Sequence, residues 1–329
     1  MAPLFPQLGM IVPVWYPSTA SPELVDTLLA RALDGCELYC LPERTLLVQD
    51  GQPIWQGKIR AQAGRRGCLY HFLPENMGKG RAVAEGIRLL AGTGVEFIVT
   101  RDSDGDTQVH DLPALAGLAF QMASETGSDL IIAAGGRSDR MRPLGLERAQ
   151  YEQLSDRFIW QALQYDAARQ GRRLSEAYFA AYGDWPDIQS GYKVYSAAAA
   201  NLAADVLTSP AAVADSNLLA RCGVETLPAV EILARGGYLG VMARHTDLEQ
   251  PVSGYRDVDA LSMYARPLVW VCQRLGLPAE VAAALLDEGL LRSSLLFDSA
   301  KRERALAVRE HVLAALGCQR PFIWGGRYF

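Results

Sequence analysis

Apolar residues in this chain fall into two kinds of stretch: short continuous runs, and longer segments where they recur every three or four positions. The runs Leu8–Val14, Leu46–Val48, Cys68–Leu73, Glu96–Thr100, Asp129–Ala134 and Tyr238–Ala243 predict strands. The periodic segments predict helices over Leu24–Leu33, Gly80–Ala91, Leu112–Ser124, Glu147–Arg169, Ala197–Leu207 and Glu225–Ala234. Ser21-Pro22-Glu23 supplies an N-cap, a first-turn proline and a first-turn acid to the earliest of these. Strands and helices alternating at this length predict βαβ units and a mainly parallel sheet. Pro186–Tyr195 reads as a loop followed by a short strand or turn, and Val258–Leu316 is nearly all helical. A boundary near Gly254 therefore divides an α/β part, 1–254, from a helical C-terminal extension, 255–329.

Composition changes this picture little. The chain has 329 residues, half of them apolar, which is enough for a sizeable core. A net charge of −5 without a long basic run argues against nucleic acid as a partner. Six scattered cysteines form no CxxC pair and read as reduced thiols of a cytoplasmic protein. The N-terminal sequence lacks the pattern of a signal peptide, and no apolar stretch approaches the ~20 residues of a membrane span. A homodimer is compatible with all of this.

The chemistry concentrates after the run Phe97–Thr100, which delivers Asp102-Ser103-Asp104-Gly105-Asp106 to a loop. Carboxylates at the carboxyl end of a buried strand sit where open α/β sheets bind ligands. Asp102 and Asp104 have the spacing to share Mg²⁺ or Mn²⁺ with a substrate phosphate; a solvated acidic turn is the alternative. An EF-hand loop is excluded, because glycine falls at the fourth position and Pro113 stands where the bidentate Glu belongs. A phosphatase DxDGT nucleophile belongs on a first strand, and several strands precede this one. Asn76-Met77-Gly78-Lys79-Gly80 opens a helix, where glycines let the backbone approach a phosphate and Lys79 adds a compact charge. It is not a P-loop, since GxxxxGK[ST] is absent. Asp50 ends an earlier strand and can accept hydrogen bonds from a base or ribose, or simply serve the Asp-Gly turn. Arg137, Arg140 and Arg142 form a cluster suited to forked hydrogen bonds with an anion. Trp185 and Tyr192 are candidates to stack on a sugar, against a role in the core.

Pro13, Asp50, the Asn76-x-Gly78-Lys79-Gly80 turn, Asp102-x-Asp104, Gly135-Gly136-Arg137 and Ser190-Gly191-Tyr192-Lys193 occur in the order seen in GT-A-fold glycosyltransferases. The chain resembles the dolichol-phosphate-mannose-synthase-like and glucosyl-3-phosphoglycerate-synthase-like enzymes of that fold over roughly residues 8–275. Gly223-Val224-Glu225, Arg235-x-Gly237 and Arg244-His245 followed by Pro251 resemble the segment of the latter family that ends in a metal-binding histidine. The usual Pro-x-x-Asn-Glu is replaced by Pro13-Val14-Trp15-Tyr16-Pro17, and the segment from Glu225 to His245 is shorter. The resemblance implies a GT-A (Rossmann-like) sheet flanked by helices and a metal-dependent hexosyltransferase. A nucleoside-diphosphate sugar would be the donor, and a small, anionic, phosphoglycerate-like molecule the acceptor. Asp104, His245 and Asp102 would hold Mg²⁺ or Mn²⁺. Pro13, Asp50, Asn76, Gly78, Lys79 and Gly80 would line the nucleotide, and Arg137, Ser190 and Gly191 the acceptor. Glu225 would take the acceptor proton or orient the substrates, unless it only complements a helix N-terminus. Alternatives are a polyprenyl-phosphate glycosyltransferase, a sugar nucleotidyltransferase, and a nucleotide-sugar-binding protein without turnover.

Overall fold

The computed structural model describes residues 2–209, 221–244, 246 and 261–322. They divide into two compact units: 1–139 with 175–253, and 140–174 with 254–329. The boundary expected near Gly254 itself lies outside the described residues.

The first unit is built on seven strands: β1 (Leu8–Val14), β2 (Thr45–Asp50), β3 (Leu69–Leu73), β4 (Phe97–Thr100), β5 (Ile131–Arg137), β6 (Lys193–Ser196) and β7 (Tyr238–Arg244). They form one sheet in the order β3-β2-β1-β4-β6-β5-β7. β6 runs antiparallel to both its neighbours, and every other pairing is parallel. Helices α1 (Pro22–Leu33), α2 (Gln56–Arg65), α3 (Lys79–Ala91) and α4 (Leu112–Thr126) make the crossovers of its first five strands. This is the mainly parallel, helix-flanked α/β sheet of the GT-A (Rossmann-like) class.

The elements form where the apolar pattern places them. β1, β4 and β5 are buried along their whole length, as strands covered on both faces are. Ser21 caps α1 by accepting the Leu24 amide at 3.1 Å. α3 lies on the sheet through small residues, and a Cβ on Gly86 would stand 2.7 Å from Ile11 Cγ2. α2 is absent from the sequence expectation, because its polar run QGKIRAQAGR buries only Ile59 and Ala63.

Pro13 looks misplaced in a central strand, where a missing N–H costs a ladder bond. The register removes the difficulty. β4 pairs with β1 only from Leu8 to Ile11, whereas β2 continues to Val14. The Ile11 carbonyl accepts the Arg101 amide on the β4 side, so Pro13, two residues on, faces the side that β4 has vacated. The strand order reverses direction between β1 and β4. That is the switch point at which open α/β sheets bind ligands beyond the carboxyl ends of their strands.

The second unit is helical, with Leu146–Arg169, Arg266–Leu275, Ala279–Leu291 and Ser299–Ala315 as its main elements. Arg140, expected among the acceptor ligands, pairs there with the fully buried Asp156. Met141–Leu144, the segment that carries Arg142, forms one helical turn.

Candidate functional site

The acidic loop follows β4 directly and is held from several directions. Arg101 is fully buried, and its guanidinium reaches across to Thr107, where the loop ends. Nε donates to Thr107 Oγ1 at 3.0 Å and Nη2 to the Thr107 carbonyl at 2.8 Å. Its remaining donors serve the Arg31 and Ala32 carbonyls in the last turn of α1, at 2.9 and 2.8 Å. Carbonyls at a helix C-terminus lack intrahelical partners and attract a cation. Tyr16, also buried, donates its hydroxyl to the Ser103 carbonyl at 3.0 Å. Asp106 is neutralised by Arg244, with Nη2–Oδ2 at 2.9 Å. The Asp106 amide in turn donates to Asp104 Oδ1 at 3.1 Å. Burial, and then the neighbouring Asp102 and Asp106, push the Asp104 carboxyl up to about 7.

The glycine-rich turn is fixed by Asp50. Its two carboxylate oxygens accept the Met77 and Gly78 amides at 2.7 and 2.8 Å. Burial nevertheless raises its proton affinity. The nearest structural duty of Asp50 is thus to shape the turn rather than to meet a nucleoside. Gly78 has φ +93°, a backbone state that side chains resist. Gly51, at φ +69°, lets the chain pass the Asn76 amide, which a Cβ would approach to 2.8 Å. Arg221 donates to the Asn76 carbonyl at 2.7 Å, while the Asn76 side-chain oxygen is buried with no partner. Gly80 is buried in the first turn of α3.

Lys79 is the first residue of α3, and it joins the two halves of the site. Its ammonium lies 2.8 Å from Asp102 Oδ2 and 2.7 Å from Glu225 Oε1. Burial alone would raise the Glu225 carboxyl, but Lys79 and Lys193 outweigh it and hold the group below its ordinary value. Gly191 packs against this pair so closely that a Cβ there would sit 2.4 Å from Asp102 Oδ2 and 2.8 Å from Lys79 Nζ.

The loop carrying Gly191 is itself anchored to the ends of β5 and β7. Ser190 Oγ donates to the Gly135 carbonyl at 2.7 Å, and Arg244 Nε donates to the same oxygen at 3.0 Å. Lys193 is buried beneath the loop and donates to the Ile188 and Ser190 carbonyls. Arg137 is buried too. Its Nε and Nη2 grip Asp187 at 2.9 and 2.7 Å, and its amide adds a third bond to the same carboxylate. The fork that the sequence offers to an acceptor is therefore filled by Asp187. Tyr192 lies in the core instead of on a sugar face. Trp185 is half-buried, and His245 and Pro251 lie outside the described residues.

Asp50, Asn76, Gly78, Lys79, Gly80, Asp102, Asp104, Ser190, Gly191 and Glu225 belong to one unit, around the carboxyl ends of its strands. Among the described residues, no group of three or more histidine, cysteine or acidic side chains is gathered as a metal cage. The donor chemistry still fits a hard cation at Asp104. That carboxyl accepts one backbone bond and is driven toward protonation by burial and then by like charge, a condition that a bound cation relieves. Asp102 is committed to Lys79. Arg101 and Asp187 organise the site without having been singled out in the sequence, as do Arg244, Lys193 and Tyr16, which stood there only as members of motifs without a role of their own. The one local signal is an arginine placed directly after an apolar strand, where a second carboxylate follows at once.

No family model matches this chain, and no curated protein does. Among solved structures, residues 1–349 of TarS from S. aureus are similar, with 13% identity and a TM-score of 0.40, covering 94% of this chain and 90% of that one.

Proposed function

We propose that this chain is a metal-dependent glycosyltransferase, a hexosyltransferase that takes its sugar from a nucleoside-diphosphate sugar. The observation that carries this reading is a single convergence at the switch point of the sheet. Asp102, the N-terminus of α3 with Lys79, and Glu225 meet there, and Asp104 interacts electrostatically with both Asp102 and Lys79. A helix N-terminus with a lysine favours a diphosphate. Asp104 would hold Mg²⁺ or Mn²⁺, with His245 and the neighbouring Asp102 as further candidates. When bound, the cation offsets charge developing on the leaving diphosphate. Lys79 exchanges one carboxylate partner for a phosphate oxygen as the donor enters. Glu225 stays an anion at neutral pH, and so accepts a hydrogen bond from a sugar or acceptor hydroxyl. The acceptor is proposed to be small and anionic, the class implied by the resemblance. With Arg137 occupied, its nearest contacts fall to the Ser190–Gly191 backbone beside Lys79.

The test is turnover. The protein is incubated with uridine, guanosine, adenosine and thymidine diphosphate sugars, with and without Mn²⁺, and free nucleoside diphosphate is measured. Release from one donor, dependent on the cation and accelerated by a phosphorylated or carboxylated acceptor, is expected. Pyrophosphate formed from a sugar phosphate and a nucleoside triphosphate would instead identify a nucleotidyltransferase.

A further inference from the structure

The acidic loop carries three carboxylates within five residues, at positions 102, 104 and 106. Their mutual repulsion tends to open it. Two buried arginines close it from different places. Arg101 binds the loop where it ends, through both the hydroxyl and the carbonyl of Thr107, and ties it to α1 through the Arg31 and Ala32 carbonyls. Arg244, the last residue of β7, takes the other approach. It grips the Asp106 carboxylate at 2.9 Å and the Asp106 carbonyl at 3.0 Å, and anchors itself on Gly135. The Asp106 amide is the backbone donor to Asp104 Oδ1. Arg244 therefore acts on Asp104 through one intermediate residue, while Arg101 fixes the path of the chain on either side.

We propose that Arg101 and Arg244 are positioning residues for Asp104, holding the acidic loop in the one shape that presents this carboxylate to a divalent cation. The proposal rests on the role given to Asp104 above. Both arginines spend several donors in a planar fork, so lysine cannot replace them. Neither arginine needs to touch substrate.

The experiment compares wild type with Arg101→Lys, Arg244→Lys and, as a control, Arg309→Lys. Arg309 is equally buried, but it pairs with Asp287 in the helical unit. Two readouts are taken on the full chain: Mn²⁺ affinity in the presence of uridine or guanosine diphosphate, and hydrogen exchange of the 102–107 amides. Arg101→Lys and Arg244→Lys should weaken Mn²⁺ binding and speed loop exchange on the order of tenfold, the scale of one lost charge-assisted hydrogen bond. Arg309→Lys should lower the melting temperature without either effect. Should the lysine variants fail to fold, Thr107→Val and Asp106→Asn each remove a single contact and should show the same signature more weakly. Unchanged loop exchange and Mn²⁺ affinity in the folded variants would overturn the proposal. If wild type itself binds no Mn²⁺, the function proposed above falls, and loop exchange alone then decides the positioning role.

Discussion

Asp104 carries an energetic cost that the rest of the loop does not. Asp102 is offset by Lys79 and Asp106 by Arg244, while Asp104 is buried with like charges on both sides and sits near 7. A carboxyl whose folded value lies above its unfolded 3.8 binds more protons folded than unfolded. In the metal-free protein its contribution to stability is therefore full below about pH 4 and falls as pH rises toward 7. Asp104→Asn should flatten that decline, measured as melting temperature against pH in chelator; an unchanged slope would remove Asp104 from this account. Gly191 gives a second test at the same scale. Alanine there would drive its Cβ into the Asp102–Lys79 pair, so Gly191→Ala should weaken nucleoside diphosphate binding at least tenfold, by the usual cost of separating such a pair. Titration calorimetry reads the loss, with circular dichroism confirming the fold. At this scale the sequence shows which acids and which lysine matter, because their spacing around strand ends is local information. It does not show that Arg137 belongs to Asp187, since that pairing joins residues 50 positions apart. Nor does it show that Arg101 closes a loop against α1, since nothing in a linear pattern separates a buried guanidinium from a solvated one.

Strands and helices were legible wherever burial dictates the pattern. β1 and the helix Ala197–Leu207 match their expected limits, and the other elements expected before residue 244 shift at their ends by a few residues. α2 escaped because a helix that buries two residues leaves almost no apolar stripe. The one-turn helix at Met141–Leu144 escaped because four residues are too few to show a period and one of them is a proline. Packing between elements sets the next prediction. Gly86 brings α3 against β1 so closely that an added methyl collides with Ile11 Cγ2 at 2.7 Å. Gly86→Ala should cost roughly 1–3 kcal/mol despite the better helix propensity of alanine, because overpacking outweighs that gain. Urea denaturation monitored on the first unit measures it; a more stable variant would mean that α3 can shift. Since Lys79 begins α3, the same variant should also weaken diphosphate binding by moving the helix N-terminus.

For the whole molecule, the mainly parallel sheet was expected from the alternation of strands and helices, and the switch point between β1 and β4 follows from the strand order. The joining of 140–174 to the C-terminal helices was not, because a helix gives no sequence signal of the partner against which it packs. No helix among the described residues is long and apolar enough to cross a membrane. The net charge of −5 argues against a polyanion as partner, and Arg137, Arg140 and Arg244 are buried against acids. Binding to duplex DNA or RNA should therefore be absent at roughly 200 mM salt, where few-contact complexes dissociate, and a persistent gel shift would contradict this. The central claim is that Asp104 and Lys79 together bind the diphosphate of a sugar nucleotide through a divalent cation. Calorimetric titration of uridine and guanosine diphosphates into wild type and Asp104→Ala, each with Mn²⁺ and with chelator, tests it most directly. Mn²⁺-dependent binding by wild type, lost in a folded Asp104→Ala protein, is the predicted result; equal affinity in the two proteins, or no dependence on the cation, would contradict it.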